Sequence, residues 1–247
     1  GGYLHFQRNF TPVLSLFSRL LQVRGVVLPI VNACLHLAAE LADGSVLVGQ
    51  HHFCRLTQPV RRLYLTVHEP GRTSTALTPC RPPLSATAAT YLQSAGAICY
   101  PMGSFYTSVL SNLLPDGVGR AVAAARCPKI YIPNSGKDTE AQGLPLTAQV
   151  DMLLRHLRQD APQAGPGDLL HAVLLDSRHG RYPGGIEWKE LERRGIEVVD
   201  REMVRPDDPQ HHDPERASVA LLELVEELRA RERAPEAGTA AIPEEDA

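Results

Sequence analysis

The sequence of 247 residues has little net charge and no long apolar run. Its net charge of −3 creates no basic field, so nucleic acid is not expected to be the main partner. It contains no stretch of about 18 uninterrupted apolar residues, which argues against a membrane span. The remaining composition, 43% apolar and 21% charged, is that of an ordinary globular protein with a substantial core.

Cysteine pairs at zinc-binding spacing are also absent. The five cysteines are odd in number, widely spaced and include no C-x-x-C motif, so we interpret them as reduced thiols. No signal peptide precedes them, and the cytoplasm is therefore the expected location. The chain opens with Gly1-Gly2 instead of methionine, and we expect it to be a fragment that begins inside a larger reading frame.

Three sequence motifs of enzyme chemistry are missing as well. The absence of G-x-x-x-x-G-K-[ST], H-E-x-x-H and G-x-S-x-G disfavours a nucleotide-hydrolysing loop, a metalloprotease site and a hydrolase nucleophile. What remains is a site that positions a phosphorylated ligand with main-chain amides and neutral side chains. Such a site suits group transfer or simple binding.

The first third of the chain predicts a helix followed by a small β-rich lobe. Apolar residues at helical spacing run from Phe10 to Leu21, and Asp43-Gly44 is a turn signal between two alternating segments. A stretch rich in Pro, Thr and Ser follows and predicts a surface connection up to residue 84. The predicted strands are 26–28, 35–41, 45–48 and 63–67, and the predicted lobe is 1–84.

The pattern then changes to alternating strands and helices, which predicts a Rossmann-like parallel sheet with helices on both faces over residues 85–233. The fold class is therefore α/β, with the small β-rich lobe as an insertion. Residues 234–247 are rich in Glu, Ala and Pro without periodicity and predict a disordered acidic tail. Strands are predicted at 97–100, 129–132, 169–175 and 196–199, and helices at 118–125, 146–158, 188–194 and 218–231.

Ligands of open parallel sheets collect outside the carboxyl ends of the strands. This rule singles out the loops 101–108, 133–138, 176–182 and 200–213. In the first of them, Gly103 lets the backbone approach a ligand, while Ser104 and Ser108 offer hydroxyls and amides where the next helix begins. The alternative is an ordinary strand-to-helix connection in which Ser or Thr caps the helix.

Asparagines supply two further candidates. Asn134 directly follows a predicted buried strand, where its amide could bind a base, a sugar or a phosphate; Asn is equally a standard turn residue. Asn112 lies one helical turn after Ser108 and could face the same side, or act as a capping or surface residue.

Metal ligation is a weaker hypothesis. Asp176 could bind a metal, or belong to a solvated polar loop. The pair His211-His212 resembles a metal cluster, but Asp213-Pro214 ahead of an apolar periodic run favours a helix start instead. The pair at 51–52 has no third ligand in its sequence neighbourhood.

Four stretches resemble one known family, the 2-phospho-lactate transferase-like (CofD-like) proteins, which include the gluconeogenesis factors. The most specific is Gly103-Ser104-Phe105-Tyr106-Thr107-Ser108 with the Asn112-Leu113-Leu114-Pro115 that follows, and the order and spacing agree over roughly residues 8–160. The sequence Pro29-Ile30-Val31-Asn32 is most similar to that of the CofD-related branch of the bacterial GAK gene system. The other matching stretches are residues 20–29, 37–44 and 129–134.

The resemblance implies a Rossmann-like domain with an inserted lobe. The opening strand of the family, with its Gly-Gly-Thr-Gly-like phosphate loop, has no counterpart here, so we expect the N-terminal part of the family domain to be missing. The resemblance also implies a function. The leading hypothesis is a magnesium-dependent transferase that moves a phospho-acid group from a nucleotide diphosphate carrier. The alternative is a non-catalytic regulator that binds uridine-diphosphate sugars.

Carried over by resemblance, the residues that bind substrate or phosphate are Gly103, Ser104, Tyr106, Ser108, Asn112 and Asn134. The expected partner is a phosphorylated nucleotide-type small molecule, with neither nucleic acid nor membrane, and a homodimer is a candidate assembly. A third reading is a degenerate scaffold retained for protein contacts. No individual catalytic role and no metal ligand follows from these residues.

Overall fold

A computed structural model describes residues 9–67, 77–141 and 143–233. Four strands form an antiparallel sheet and four others a parallel one. The helices are α1 (Thr11–Leu20), α2 (Ala86–Gln93), α3 (Val118–Ala124), α4 (Leu146–Arg158), α5 (Pro166–Leu169), α6 (Trp188–Arg193) and α7 (Pro214–Arg233). The strands are β1 (His36–Leu41), β2 (Val46–Val48), β3 (Val60–Thr66), β4 (Pro79–Cys80), β5 (Ile98–Tyr100), β6 (Lys129–Tyr131), β7 (Ala172–Leu175), β8 (Glu197–Asp200), β9 (Val204–Arg205) and β10 (Asp208–His212).

The small lobe contains the antiparallel sheet in the order β2-β1-β3-β4. Its first hairpin turns at the predicted place, where Asp43 accepts the N–H of Ser45 at 2.9 Å and Gly44 adopts φ 83°. The predicted strand at 26–28 is wrong. Val26 and Val27 are exposed and outside regular structure, because an apolar run forms a strand only where another strand pairs with it.

The second sheet is parallel throughout, in the order β5-β6-β7-β8. Its alternate side chains enter two separate apolar clusters, as the period of two requires. Ile130 and Leu174 pack with α7, whereas Tyr131 and Val173 point to the opposite face with α3 and α4. The α/β fold class with helices on both faces is therefore confirmed.

Three features of the structure differ from the sequence prediction. Helix α2 was not expected, because its Ala- and Thr-rich sequence has no periodic run of large apolar residues, and in the structure it contains no buried residue. The fourth predicted loop contains the hairpin of β9 and β10. Strand β7 also begins later than predicted, because Pro166 starts a helical turn over the residues before it.

Asp160 ties the small sheet to the parallel sheet. Its buried carboxylate accepts the N–H groups of Gly117 at 2.8 Å and Gly119 at 3.2 Å, and it pairs with Arg81, which directly follows β4. A charged group that is buried needs such partners. These contacts connect the residue after β4 with the start of α3 and the end of α4.

The predicted domain boundary at residue 84 stays a prediction, and the predicted tail at 234–247 lies outside the described residues. Among the helices that the structure describes, none combines the length and apolar character that a bilayer crossing requires.

Candidate functional site

The turns that follow β5 and β6 meet at the carboxyl edge of the parallel sheet. Asn134 accepts the N–H of Gly103 at 2.9 Å through Oδ1, and its Nδ2 donates to the Gly103 carbonyl at 2.7 Å. The two residues that sequence reasoning placed at this edge are therefore in direct contact. Both ends of the Asn134 amide hold the neighbouring turn in place.

The backbone at Gly103 has φ 153°, a conformation that residues with a side chain rarely adopt. A Cβ at this position would also lie 3.4 Å from the Cβ of Ser108. Glycine is thus required by backbone conformation and favoured by the close approach of the following helical turn.

Carboxylates of the chain itself accept three main-chain N–H groups of the turn that was expected to hold phosphate. The N–H of Phe105 donates to Oδ2 of Asp138 at 3.0 Å, and those of Tyr106 and Thr107 donate to Oε2 of Glu140 at 2.8 and 2.9 Å. The Thr107 hydroxyl donates to Oε1 of Glu140 at 2.7 Å. The expectation that main-chain amides at this turn grip a ligand therefore needs correction, since these donors are already satisfied.

Sequence reasoning missed Asp138 and Glu140 as partners of the turn. The available signal was their position four and six residues after Asn134, in a loop already assigned to the same edge. Carboxylates close to a row of free N–H groups form charge-assisted hydrogen bonds. That pairing becomes visible once the two loops are placed side by side.

Tyr106 lies in the core. The residue is 3% exposed, and its ring lies 5.4 Å from that of Phe105 and 6.1 Å from that of Phe53, measured between centroids. Burial, with the charges of Glu140 and Asp138, raises the pKa of Tyr106 to about 12. The phenol stays neutral at physiological pH, and its place is structural.

Four serine and threonine hydroxyls follow β5, from Ser104 through the two short helical segments Phe105–Val109 and Leu110–Leu113. Ser104 and Thr107 are half-buried, Ser108 is exposed, and the Ser111 hydroxyl donates to the Thr107 carbonyl at 2.6 Å. Thr107 and Ser111 line an open cavity of about 630 Å³ between this segment and the small sheet. The wall of the cavity on the side of the small sheet includes Leu37, Leu65 and His51.

Asn112 makes a local contact. Its Nδ2 donates to the Ser108 carbonyl at 2.7 Å in an exposed position, one turn back along the chain. This is the surface role that the sequence left open as its alternative.

The family model described as "2-phospho-L-lactate transferase CofD" matches residues 3–204. The chain belongs to the CofD family. The gluconeogenesis factors of Halalkalibacterium halodurans and Bacillus subtilis are each 28% identical to it over 234 residues, covering 90% and 89% of this chain and 67% of each relative. The resemblance drawn from the sequence is therefore confirmed at the level of the family, while the assignment to the GAK branch stays a prediction.

Two crystal structures of one Bacillus halodurans protein share the CofD-family fold seen here. Their TM-scores are 0.70 and 0.69, at 22% and 21% sequence identity, and they cover 90% and 91% of this chain. The alignment spans 69% of each solved chain. At this identity the likeness concerns the fold.

Asp176 of this CofD-family chain is fully buried and its carboxylate is used by the main chain. Oδ1 accepts the N–H groups of Arg178 and His179 at 3.1 and 2.9 Å, and Oδ2 accepts those of Met203 and Val204 at 2.9 Å. Burial alone would raise its pKa, but these hydrogen bonds outweigh burial and lower it. The carboxylate anchors the hairpin after β8, and the hypothesis that it binds a metal gains no support.

The histidine pair ahead of α7 contacts other side chains of the protein. His211 contacts the Asp208 carboxylate at 2.7 Å, and His212 Nδ1 lies 3.5 Å from the Ser135 hydroxyl. Asp213 accepts the N–H groups of the first turn of α7, which confirms the predicted helix start. Across the described ranges, no three His, Cys, Asp or Glu side chains come together as a metal site.

Proposed function

We propose that the chain binds a phosphorylated nucleotide-type molecule along the row of hydroxyls that follows β5. The phosphate lies at Ser104 and Ser108, and the organic part of the ligand enters the cavity beside Thr107 and Ser111. The observation that carries the proposal is that this row begins at the carboxyl edge of the parallel sheet and runs into an open cavity of about 630 Å³. Ligand sites of small molecules have volumes in this range.

The main-chain N–H groups that already donate within the chain determine which other groups can bind the ligand. Glu140 and Asp138 accept the N–H groups of residues 105–107, and the hydroxyls of Thr107 and Ser111 donate within the chain. The proposed phosphate donors are therefore the hydroxyls of Ser104 and Ser108. Ser108 is exposed and Ser104 is half-buried, and both lie within four residues of Thr107 or Ser111, which line the cavity. Hydrogen bonds to a charged phosphate contribute about 1.5–3 kcal/mol each.

The leading activity is a transfer of the CofD type, in which a phospho-acid group moves from a nucleotide diphosphate carrier to an acceptor. The description of the matching family supports it. Magnesium belongs to this form of the proposal, but the described residues provide no cluster of oxygen ligands for it. The ion would therefore be held by the phosphates of the ligand, as is common for Mg²⁺.

The second candidate is a regulator that binds uridine-diphosphate sugars without turnover. The names of the relatives support it, since those that share 28% identity with this chain are gluconeogenesis factors. Both candidates use the same hydroxyls and the same cavity. They differ in whether magnesium and an acceptor are needed.

Calorimetry on the full chain tests the site, with uridine diphosphate, guanosine diphosphate and a uridine-diphosphate sugar as probes, each with and without Mg²⁺. We expect Ser104→Ala to weaken the Kd of a phosphorylated probe about tenfold, the loss of one charge-assisted hydrogen bond. Ser218→Ala is the matched control, because Ser218 is exposed on α7 and donates only locally, to the Pro214 carbonyl.

The results distinguish the three hypotheses, which are a transferase, a regulator and a scaffold. Unchanged affinity in Ser104→Ala would contradict the site, and no binding of any probe would favour a scaffold. The activity assay adds a deazaflavin acceptor and a donor in which the nucleotide diphosphate carries a phospho-acid group. Affinity that is independent of Mg²⁺, with no product in that assay, would favour the regulator. Transfer of the phospho-acid group to the acceptor, with release of the nucleoside monophosphate from the donor, would establish the transferase.

A further inference from the structure

A second cavity, of about 560 Å³, lies at the amino edge of the parallel sheet. Lys129 begins β6, His171 directly precedes β7, and both residues line this cavity. Because the strands are parallel, their first residues share one edge of the sheet and their last residues share the opposite edge. The cavity is therefore separate from the row of hydroxyls that follows β5, and the proposed function does not use it.

Lys129 brings a buried positive charge to the cavity. The residue is 3% exposed, and its Nζ donates to the carbonyl of Ala125, directly after α3, at 2.7 Å. No carboxylate oxygen of the described residues lies within 4.0 Å of this nitrogen. An ammonium group has three N–H donors, and a buried charge normally has a charged partner. Two donors of Lys129 are therefore available to an anion in the cavity.

His171 supplies a further donor beside Lys129. Its Nδ1 accepts the main-chain N–H of Lys129 at 3.1 Å, so the neutral ring carries its proton on Nε2. Burial, together with the Lys129 charge, lowers the pKa of His171, and the ring is neutral at physiological pH. Nε2 lies 3.7 Å from the Glu232 carboxylate, which is too far for a direct hydrogen bond. This N–H is therefore available to a ligand atom.

Two acidic side chains line the same cavity. Asp168 and Glu232 are both exposed, and Oδ2 of Asp168 accepts the Gly165 N–H at 2.8 Å, which leaves Oδ1 as an acceptor. Burial lowers the pKa of Lys129, and the charges of these two carboxylates oppose that shift from a distance. The exposed Arg126 also lines the cavity, so positive and negative side chains are present in equal number.

We propose that this cavity binds a small zwitterion, an α-amino acid, with its carboxylate at Lys129 and His171 and its ammonium group at Asp168 and Glu232. The balance of charge selects this class of ligand. A phosphate dianion would meet two acidic side chains, and a simple cation would meet the buried ammonium of Lys129. A ligand with one charge of each sign is complementary to both ends, and the cavity has the volume of a small-molecule site.

The competing explanation is that Lys129 only caps α3. A cation near the C-terminal end of a helix is favourable, and the hydrogen bond to the Ala125 carbonyl is a contact of this kind. Capping uses one of the three donors and involves neither His171 nor Glu232. The two explanations therefore differ in whether Glu232, on a different helix, affects the binding of a ligand.

Calorimetry on the full chain at pH 7.5 tests the site, with the protein amino acids, acetate and inorganic phosphate as separate probes. We expect at least one amino acid to bind with a Kd below about 1 mM, and acetate and phosphate to bind about tenfold more weakly or less. Lys129→Met keeps the alkyl chain but removes the ammonium group. It is expected to weaken amino-acid binding about tenfold, and Glu232→Gln about threefold.

The matched controls are Lys189→Met on α6 and Glu223→Gln on α7, because both residues are exposed and neither lines the cavity. Both controls are expected to bind as the parent chain does. Circular dichroism shows whether each variant folds, and Glu232→Gln, at an exposed position, decides the case if Lys129→Met does not fold.

Three results would overturn the proposal. The first is a parent chain that binds no amino acid, which would leave Lys129 with the role of a helix cap. The second is phosphate that binds more tightly than every amino acid. The third is a folded Lys129→Met or Glu232→Gln that keeps the affinity of the parent chain.

Discussion

Glu140 shows how one side chain orders the candidate site before any ligand arrives. Its carboxylate accepts two main-chain N–H groups and one hydroxyl, all from Tyr106 and Thr107. It is 8% exposed, so these bonds form away from bulk water, where they are strong. The shape of the hydroxyl row thus depends on a residue that lies 33 positions further along the chain.

Glu140→Gln tests this role. The substitution removes the charge but keeps an acceptor oxygen, so we expect the free energy of unfolding to fall by about 2 kcal/mol. Urea denaturation at pH 7.5 measures the difference. Glu192→Gln, an exposed position on α6, is expected to change stability by less than about 0.5 kcal/mol. Equal stability of both variants and the parent would show that Glu140 does not hold the turn.

Sequence reasoning succeeded for single residues whose position follows from the chemistry of a turn and from the order of the strands. Gly103 and Asn134 were assigned to the strand ends from turn chemistry and the order of strands, and the structure brings them together. The occupation of the amides was not predictable in the same way. Asp138 and Asp176 are carboxylates in polar loops, and only the folded arrangement decides which main-chain N–H groups each accepts.

At the scale of elements, prediction followed the strength of the apolar period. Helix α4 was predicted at its observed bounds because Val150, Leu153 and Leu157 form a stripe that is fully buried. The hairpin of β9 and β10 was missed because its sequence is polar. It is held in place from outside, by the Asp176 carboxylate that accepts the Met203 and Val204 N–H groups.

The contact between α3 and α4 gives a prediction of unusual sign. Gly to Ala within a helix usually stabilises, but a Cβ at Gly119 would lie 1.9 Å from the Leu157 carbonyl oxygen. The added methyl group could be accommodated only if the backbone of α3 or α4 moved. We therefore expect Gly119→Ala to lower the free energy of unfolding by about 3 kcal/mol. Thermal unfolding measures it. Gly167→Ala in α5 is the control, since a Cβ there meets nothing within 4 Å, and it is expected to be neutral or stabilising. A stabilised Gly119→Ala would mean that the two helices pack further apart.

At the scale of the whole molecule, three partly or fully buried histidines lie in different parts of the fold. His156 is in α4, His171 precedes β7, and His212 ends β10. Burial is the main cause that lowers the pKa of each one. For His171 the nearby Lys129 charge acts in the same direction, and for His212 the Asp176 charge opposes it. Because all three pKa values are lowered, their contributions to the pH dependence of stability add up across the whole protein.

The sign of the pH dependence follows from proton linkage. Below the ordinary histidine pKa of 6.5, these three side chains take up protons in the unfolded chain but stay neutral in the folded chain. Stability is therefore lost as the pH falls from 6.5 through their lowered folded pKa values. The aspartates whose pKa is lowered, such as Asp176, act below their ordinary value of 3.8 and do not enter this range. We therefore expect the denaturation midpoint to fall between pH 7.5 and pH 5.5, measured in urea at constant ionic strength. His156→Gln should reduce the slope, because it removes one of the three groups. A midpoint that is constant or rises over this range would mean that the histidines take up protons in the folded state as readily as in the unfolded chain.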